Sequence, residues 1–185
     1  EIEKPHIDQN ALSRQLAVYG HEAQGKLMAM RVFIYGAQAK DHLSELGIEV
    51  AKNLILAGPK QVTLYDPTLV TTADLGRNFY VRKEHVGKIS RAEASLPQLR
   101  DLNPNVHVHV ATEASIEHMK SVITRAAHYE CVVVIDCYDR EYLVALNKAV
   151  HAKGNGFILA GNLGLYGYTF VDFGEAHRIF DATGE

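Results

Sequence analysis

Short apolar runs alternate along this chain with longer segments whose apolar residues recur at helical spacing. The apolar runs are rich in β-branched residues and several end in glycine or an acid, which is typical of strands in a buried parallel sheet. We therefore predict strands at residues 31–36, 62–66, 106–110, 131–136 and 156–160. The run 131–136 is the most apolar, so we expect it at the sheet centre, whereas 106–110 alternates with histidine and should expose one face.

The intervening segments predict helices. Apolar residues at helical spacing predict one or two opening helices that break near Gly20. A second apolar stripe ends at the stop signal Gly58-Pro59, and it consists of Leu43, Leu46, Val50, Leu54 and Ala57. Further helices are predicted at residues 91–102, 116–127 and 142–151, and the glycine- and aromatic-rich tail 161–172 predicts antiparallel strands.

This order of elements predicts an α/β fold. It is a Rossmann-like, mostly parallel sheet with helices on both faces and an antiparallel C-terminal extension. No repeat or linker divides the chain, so residues 1–185 are predicted to form a single domain. Residues 1–10 lack methionine and both ends look cut, which indicates a fragment of a longer multidomain chain.

Composition excludes several classes of protein. Hydrophobic residues make up 47% and the net charge is −3, so nothing points to nucleic acid or to an acidic membrane surface. No apolar run approaches the ~20 residues of a membrane helix. The two cysteines, Cys131 and Cys137, do not suggest a disulfide framework, and we expect a reducing compartment, the cytoplasm or the nucleus.

The first strand–helix connection lacks a phosphate-binding glycine pattern. After Gly36 the next glycine is Gly47, so a tight G-x-G-x-x-G is absent. Asp41 and Glu45 add negative charge where a phosphate would have to lie. We therefore favour a connection without a ligand, and the missing glycines argue against an NAD-dependent reductase.

Two acids follow strands at the edge where open α/β sheets bind ligands. Asp66 ends the second strand and is either a ribose-binding acid or a solvated strand end; the sequence leaves both open. Asp139 follows the central strand and could hold Mg²⁺, but we favour the alternative that it caps the next helix.

Other reactive residues carry weaker signals. Cys137 precedes a helix, yet a buried structural cysteine is the favoured interpretation over a nucleophile. His107 and His109 share a strand face without a third ligand at a recognisable spacing, so we predict a solvated face rather than a metal site. No catalytic residue and no metal ligand is predicted in this chain.

A set of short motifs, in order over nearly the whole chain, resembles the N-terminal part of ubiquitin-activating enzymes. The motifs are Leu12-Ser13-Arg14-Gln15-Leu16, Gly20-His21-Glu22-Ala23, residues 47–53 and 62–66, Ala73-Asp74-Leu75 with Asn78-Phe79-Tyr80, Gly87-Lys88 with residues 91–94, residues 164–167, and Asp172-Phe173-Gly174-Glu175. In that family two related adenylation domains pair, and only one of them binds ATP·Mg²⁺ and ubiquitin.

The resemblance is to the inactive N-terminal adenylation domain, before the first catalytic-cysteine half-domain. The segment 37–46 replaces the glycine-rich loop, and Ser90 or Arg91 stands where active members have a lysine. Arg77 and Asp139 match positions used in active members, so with Asp66 they form a remnant site. The resemblance implies ATP and Mg²⁺ in the full enzyme, bound by the partner domain, and neither in this fragment alone.

The resemblance also implies binding partners, and it implies that one residue of this chain acts in the site of a partner domain. The partners would be the active adenylation domain of the same chain and, in the full enzyme, ubiquitin. Arg14 would reach across to the ATP of the active domain, because a guanidinium from outside a site can neutralise phosphate charge. The opening helix and residues 74–82 are the candidate interface. The alternatives are a regulatory subunit of a heterodimeric activating enzyme for another ubiquitin-like protein, and an independently active adenylating domain that uses Asp66, Arg77 and Asp139.

Overall fold

The computed structural model describes residues 8–10, 12–36, 45–124 and 129–176. Its strands are β1 (Arg31–Gly36), β2 (Gln61–Tyr65), β3 (His107–Val110), β4 (Cys131–Ile135), β5 (Gly156–Leu163) and β6 (Tyr166–Asp172). Its α-helices are α1 (Ser13–Ala29), α2 (Glu45–Ala57), α3 (Arg91–Asp101), α4 (Ile116–Thr124) and α5 (Arg140–His151), and two short 3₁₀ helices span Thr72–Gly76 and Lys83–His85. No helix in these ranges is long and apolar enough to cross a membrane.

The six strands form one sheet in the order β3-β2-β1-β4-β5-β6. The first five run parallel, with Ile34 between Leu64 of β2 and Val133 of β4, and β6 returns antiparallel to β5. The chain builds outward from β1 to β3 and then crosses back to β4. The predicted Rossmann-like sheet and its antiparallel extension are confirmed, and β4 is one of the two central strands as predicted.

Alternate residues of the strands divide the core into two layers. On one face Val32, Ile34 and Leu64 pack with Ile48, Ala51 and Ile55 of α2 and with Leu99 of α3. On the other face Phe33, Val132 and Val134 pack with Met119 of α4 and with Leu146 and Val150 of α5. Helices therefore cover both faces, which agrees with the prediction.

The helices differ from the sequence prediction in which of their residues are buried. The deepest residues of α2 are Ile48, Ala51 and Ile55, whereas the predicted Leu46, Val50 and Leu54 are only partly buried, because this helix packs on a wider face than one stripe describes. Leu43 and the end of the helix predicted at 116–127 lie outside the described residues. The predicted break at Gly20 is confirmed, since its φ of 73° and ψ of 167° interrupt α1.

Candidate functional site

The candidate site lies at the carboxyl ends of β1, β2 and β4. The connection from β1 leads outward to β2, while β4 lies on the other side of β1, so the strand order reverses at this point. Open parallel sheets bind ligands in the crevice formed by such a reversal. Most of the segment 37–46, which comes after β1, lies outside the described residues, and the site is built from the residues after β2 and β4.

A buried ionic cluster occupies the end of β2. The side chain of Arg91, the first residue of α3, is 1% exposed and lies between two buried carboxylates. Its Nε is 2.8 Å from Oδ2 of Asp74, and its Nη1 is 4.0 Å from Oδ2 of Asp66. The cluster therefore joins β2, the 3₁₀ helix Thr72–Gly76 and the start of α3, with two negative charges around one positive charge.

Backbone contacts fix both carboxylates of the cluster. Oδ1 of Asp66 accepts a hydrogen bond of 2.9 Å from the backbone N–H of Thr68, whose carbonyl accepts from the N–H of Arg91. Oδ2 of Asp74 accepts from the N–H and hydroxyl of Thr71 at 2.7 and 2.9 Å. Burial raises the pKa of Asp74, but contacts with Arg91 and Thr71 outweigh it, so the pKa lies below its usual value. Asp74 is thus held ionised.

This geometry corrects one of the two interpretations of Asp66. The residue is 1% exposed, so it is not a solvated strand end. That alternative is excluded because the chain after β2 folds back over the strand end and brings Arg91 to it. A ribose hydroxyl would have to reach a carboxylate that is buried beside the guanidinium of Arg91.

Arg77 lies away from the buried cluster. Its Nε is 3.6 Å from Oε1 of Glu45 at the start of α2, and both side chains are more than half exposed, so the pair contributes little. With Ile48 and Phe79 these residues line a cleft of about 300 Å³. Phe79 is 68% exposed, and Nζ of Lys52 lies 5.6 Å from its ring centroid. The structure therefore joins Arg77 to the surface of α2 and not to Asp66.

The residues after β4 close the crevice on its other side. Asp139 caps α5, because its Oδ1 accepts a 3.0 Å hydrogen bond from the N–H of Tyr142, which confirms the favoured interpretation. Asp136 has a φ of 49°, a left-handed conformation, and its buried Oδ1 accepts from the N–H of Asn162 at 2.8 Å. Burial raises the pKa of the Cys137 thiol, which makes it a poor nucleophile and agrees with a structural role.

Aromatic rings fill the space around these strand ends. Tyr35 of β1 stacks between Tyr65 and Tyr142, with centroid distances of 5.4 and 5.0 Å. The ring of Tyr168 lies over Gly161, where a Cβ would come within 2.4 Å of it. The pKa of Tyr168 is raised to about 12, mainly by burial and to a smaller extent by the neighbouring Tyr138 and Asp136. The described part of the crevice is therefore packed with protein side chains.

Comparison with known proteins identifies the family. A model of the ThiF family matches residues 12–181. The chain belongs to the ThiF family. This ThiF domain is 38% identical over 179 residues to ubiquitin-like modifier-activating enzyme 1 of Mus musculus, an alignment that covers 97% of the domain and 16% of that enzyme. The predicted resemblance is confirmed.

Fungal and plant relatives give the same result. The ThiF domain is 36% identical to ubiquitin-activating enzyme E1 1 of Schizosaccharomyces pombe, over 96% of the domain and 16% of that enzyme. It is 38% identical to ubiquitin-activating enzyme E1 2 of Arabidopsis thaliana, over 97% of the domain and 16% of the relative. The domain thus spans about one sixth of the length of these relatives, and it is homologous to a ThiF-like region of ubiquitin-activating enzymes.

The opening helix of the ThiF domain is the least embedded element of the candidate interface. Gln24 is the one buried residue among its described positions, and Val18 and Tyr19 are 76% and 56% exposed. Arg14 is exposed near the start of α1, and no carboxylate among the described residues forms an ion pair with it. The role of Arg14 in trans stays a prediction.

Sequence reasoning missed the buried ion pair between Arg91 and Asp74 in the ThiF domain. The local signals were visible, because Thr71 precedes Asp74 by three residues and Ser90 precedes Glu93 by three, the spacing of a capping box. Arginine is almost never fully buried unless it is paired. The pairing depends on tertiary structure, so only the start of each helix could be predicted.

Proposed function

We propose that this chain is a pseudo-adenylation domain of a ubiquitin-activating enzyme. In this proposal it pairs with the active adenylation domain of the same enzyme, supports it, and supplies Arg14 to the ATP bound there. It performs no adenylation itself. The observation that carries the proposal is the buried cluster of Arg91, Asp66 and Asp74, which occupies the position of a ribose-binding acid.

The energetics of the cluster support a site that does not bind a nucleotide. Separating a buried ion pair by removing one partner costs about 3–5 kcal/mol, because the other charge is left buried and uncompensated. A hydrogen bond from a ribose hydroxyl to a carboxylate returns about 1.5–3 kcal/mol. Binding of a nucleotide at Asp66 (1% exposed) is therefore unfavourable unless other contacts make up the difference.

The other two residues of the remnant site do not make up that difference. Arg77 pairs with Glu45, whose carboxylate would repel a phosphate at the start of α2. Asp139 is exposed and uses Oδ1 as a helix cap, which leaves it at most as a single surface ligand for Mg²⁺. The sequence after Gly36 offers no second glycine before Gly47 to bring backbone N–H groups to a phosphate.

Surface properties support pairing with another domain. Val18 and Tyr19 on α1 are exposed apolar residues next to the break at Gly20, and Phe79 is exposed on the segment after the first 3₁₀ helix. Pairing with another domain would bury these side chains, and contiguous apolar surface is typical of interaction sites. Arg14 lies on the same helix as Val18, so a partner that covers α1 would come within reach of its guanidinium.

Calorimetric titration of the 185-residue chain with ATP·Mg²⁺ tests whether this domain binds nucleotide. We expect no saturable heat up to millimolar nucleotide. The matched control is Asp66→Asn, which removes the acid without a change in size. One-site binding by the wild-type chain that is lost in Asp66→Asn would overturn the proposal and favour an independently active adenylating domain.

The role of Arg14 is tested separately in the full-length enzyme. Loss of one charge-stabilising donor to a transition state typically lowers kcat by about 10²–10³. We therefore expect Arg14→Ala to slow ubiquitin-dependent ATP–pyrophosphate exchange by a factor in that range, with partial recovery in Arg14→Lys. The control is Lys153→Ala, an exposed cation outside α1. Equal exchange rates for Arg14→Ala and this control would remove Arg14 from the mechanism.

A further inference from the structure

An open groove lies between α4 and α5, on the face of the sheet opposite α2 and α3. It has a volume of about 700 Å³ and is lined by Lys120 of α4 and by one face of α5 from Arg140 to Ala149. Arg77 and Phe79 line a cleft against α2, which packs on the other face of the sheet. The groove is therefore a different surface from the segment 74–82 of the candidate interface.

The face of α5 in this groove consists of two parallel rows of side chains, because residues four apart on a helix stand one above the other. The first row is Arg140, Val144 and Lys148, and the second row is Glu141, Ala145 and Ala149. Two of the three members of the second row are alanine, so this row is low and forms a channel beside the first. A ridge of side chains from another helix fits such a channel.

The groove is cationic. Three cations line it against one carboxylate, that of Glu141. Among the described residues, Arg140 and Lys148 form no ion pair and no side-chain hydrogen bond. By contrast, Lys26 of α1 and Lys52 of α2 each pair with a glutamate about one turn away on the same helix. Charge complementarity therefore favours an acidic partner for the groove.

The spacing of the charges favours a helix over a single small anion. Arg140 and Lys148 are eight residues apart, which corresponds to about 12 Å along the axis of α5. This length is about two helical turns, so the two cations can pair with acids seven or eight residues apart on a facing helix. Val144, which is 44% exposed, lies between them and offers an apolar contact. We infer that this groove binds an acidic amphipathic helix of a partner protein, in which acidic residues flank a central apolar contact.

Fluorescence anisotropy with a designed peptide tests this inference on the 185-residue chain. The probe is a capped, fluorescein-labelled peptide of Glu-Ala-Ala-Leu-Leu-Ala-Gln repeats, in which the acids have the required spacing and the leucines lie between them. We expect saturable binding at low salt with a dissociation constant on the order of 100 µM, because the groove is a small interface. The matched peptide with lysine in place of glutamate should bind at least about tenfold more weakly.

Three variants at exposed positions show whether the peptide binds in the groove. Lys148→Glu replaces an attraction by a repulsion and should weaken binding about three- to tenfold. Glu141→Gln removes the carboxylate that lines the groove and should strengthen binding about twofold. The control is Lys60→Glu, which makes the same charge change between α2 and β2 and should bind like the wild type.

The same titrations separate the possible occupants of the groove. No binding by the wild type, or equal affinities for Lys148→Glu and Lys60→Glu, would overturn the inference. Displacement of the peptide by inorganic phosphate, but not by sodium chloride of the same ionic strength, would make the groove a small-anion site and would also overturn it. Binding to this chain but not to the full-length enzyme would show that another segment of that enzyme fills the groove, which rules out a separate partner. The inference does not depend on nucleotide binding or on Arg14.

Discussion

Replacement of Arg91 by methionine should severely destabilise the domain. Methionine keeps much of the side-chain volume but removes the guanidinium that lies between the buried carboxylates of Asp66 and Asp74. At an effective dielectric constant of about 20, the gross attraction is about 4 kcal/mol at the 4.0 Å of the Asp66 pair and about 6 kcal/mol at the 2.8 Å of the Asp74 pair. Much of this offsets desolvation, so we expect a net loss of about 3–5 kcal/mol.

A double-mutant cycle measures the coupling within the cluster directly. Arg91→Met, Asp74→Asn and the double variant are compared with the wild type by urea unfolding at neutral pH, followed by circular dichroism. We expect a coupling energy of about 2–3 kcal/mol, at the upper end of the range for contacting residues. If Arg91→Met does not fold, Arg91→Lys, which keeps the charge but loses the planar fork, supplies the measurable member of the cycle.

The same pair predicts a direction for the pH dependence. The pKa of Asp74 is lower in the folded chain than its usual value of 3.8, so its stabilising contribution is present above that value and is lost as the pH falls towards the folded pKa. Asp74→Asn should therefore flatten the acid limb of the stability curve. An Arg91→Met variant within about 1 kcal/mol of the wild type would refute the reasoning, since that is the effect of an average point substitution.

Three further predictions concern the β5–β6 hairpin and the start of α5. Gly161→Ala should push the Tyr168 ring aside and lower its pKa from about 12, which spectrophotometric titration of the phenol detects; an unchanged titration would contradict the close approach. The pKa of Asp172 is lowered to about 2, so its carboxylate stabilises the wild type above the usual carboxyl pKa, and this stability is lost as the pH falls through about 2. Asp172→Asn should remove this contribution, and hydrogen exchange would show it as a loss of protection at β6. Asp139→Ala should cost about 0.5–2 kcal/mol in urea unfolding and Asp139→Asn much less, since asparagine also caps helices.

The order of elements could be predicted because local pattern and global fold agree in this chain. The run after Glu130 is apolar at five successive positions, and β4 is buried at all five of them. The alternation at His107 and His109 corresponds to exposed positions on β3. A continuous apolar run indicates a strand buried on both faces, and alternation indicates a strand with one exposed face. The sequence therefore predicts which strands are central in the sheet and which are peripheral.

The candidate site was less accessible to prediction because its contacts are long-range. Asp66 and Arg91 are separated by 25 positions, and nothing local indicates that the intervening segment returns to the strand end. The tyrosine stack joins residues of β1, β2 and α5, which no sequence period relates. Asp139 was predictable because a helix cap involves neighbours along the chain, here Tyr142.

The buried cluster has a consequence for how this domain can change over generations. A neutral substitution at Arg91 removes the guanidinium from between two buried carboxylates, and most chains cannot lose several kcal/mol and remain folded. Arg91 is therefore expected to be replaced only together with Asp66 or Asp74, or after a compensating change in a neighbour. Reversal towards a nucleotide-binding arrangement would pass through unstable intermediates, so the cluster acts as a mutational ratchet.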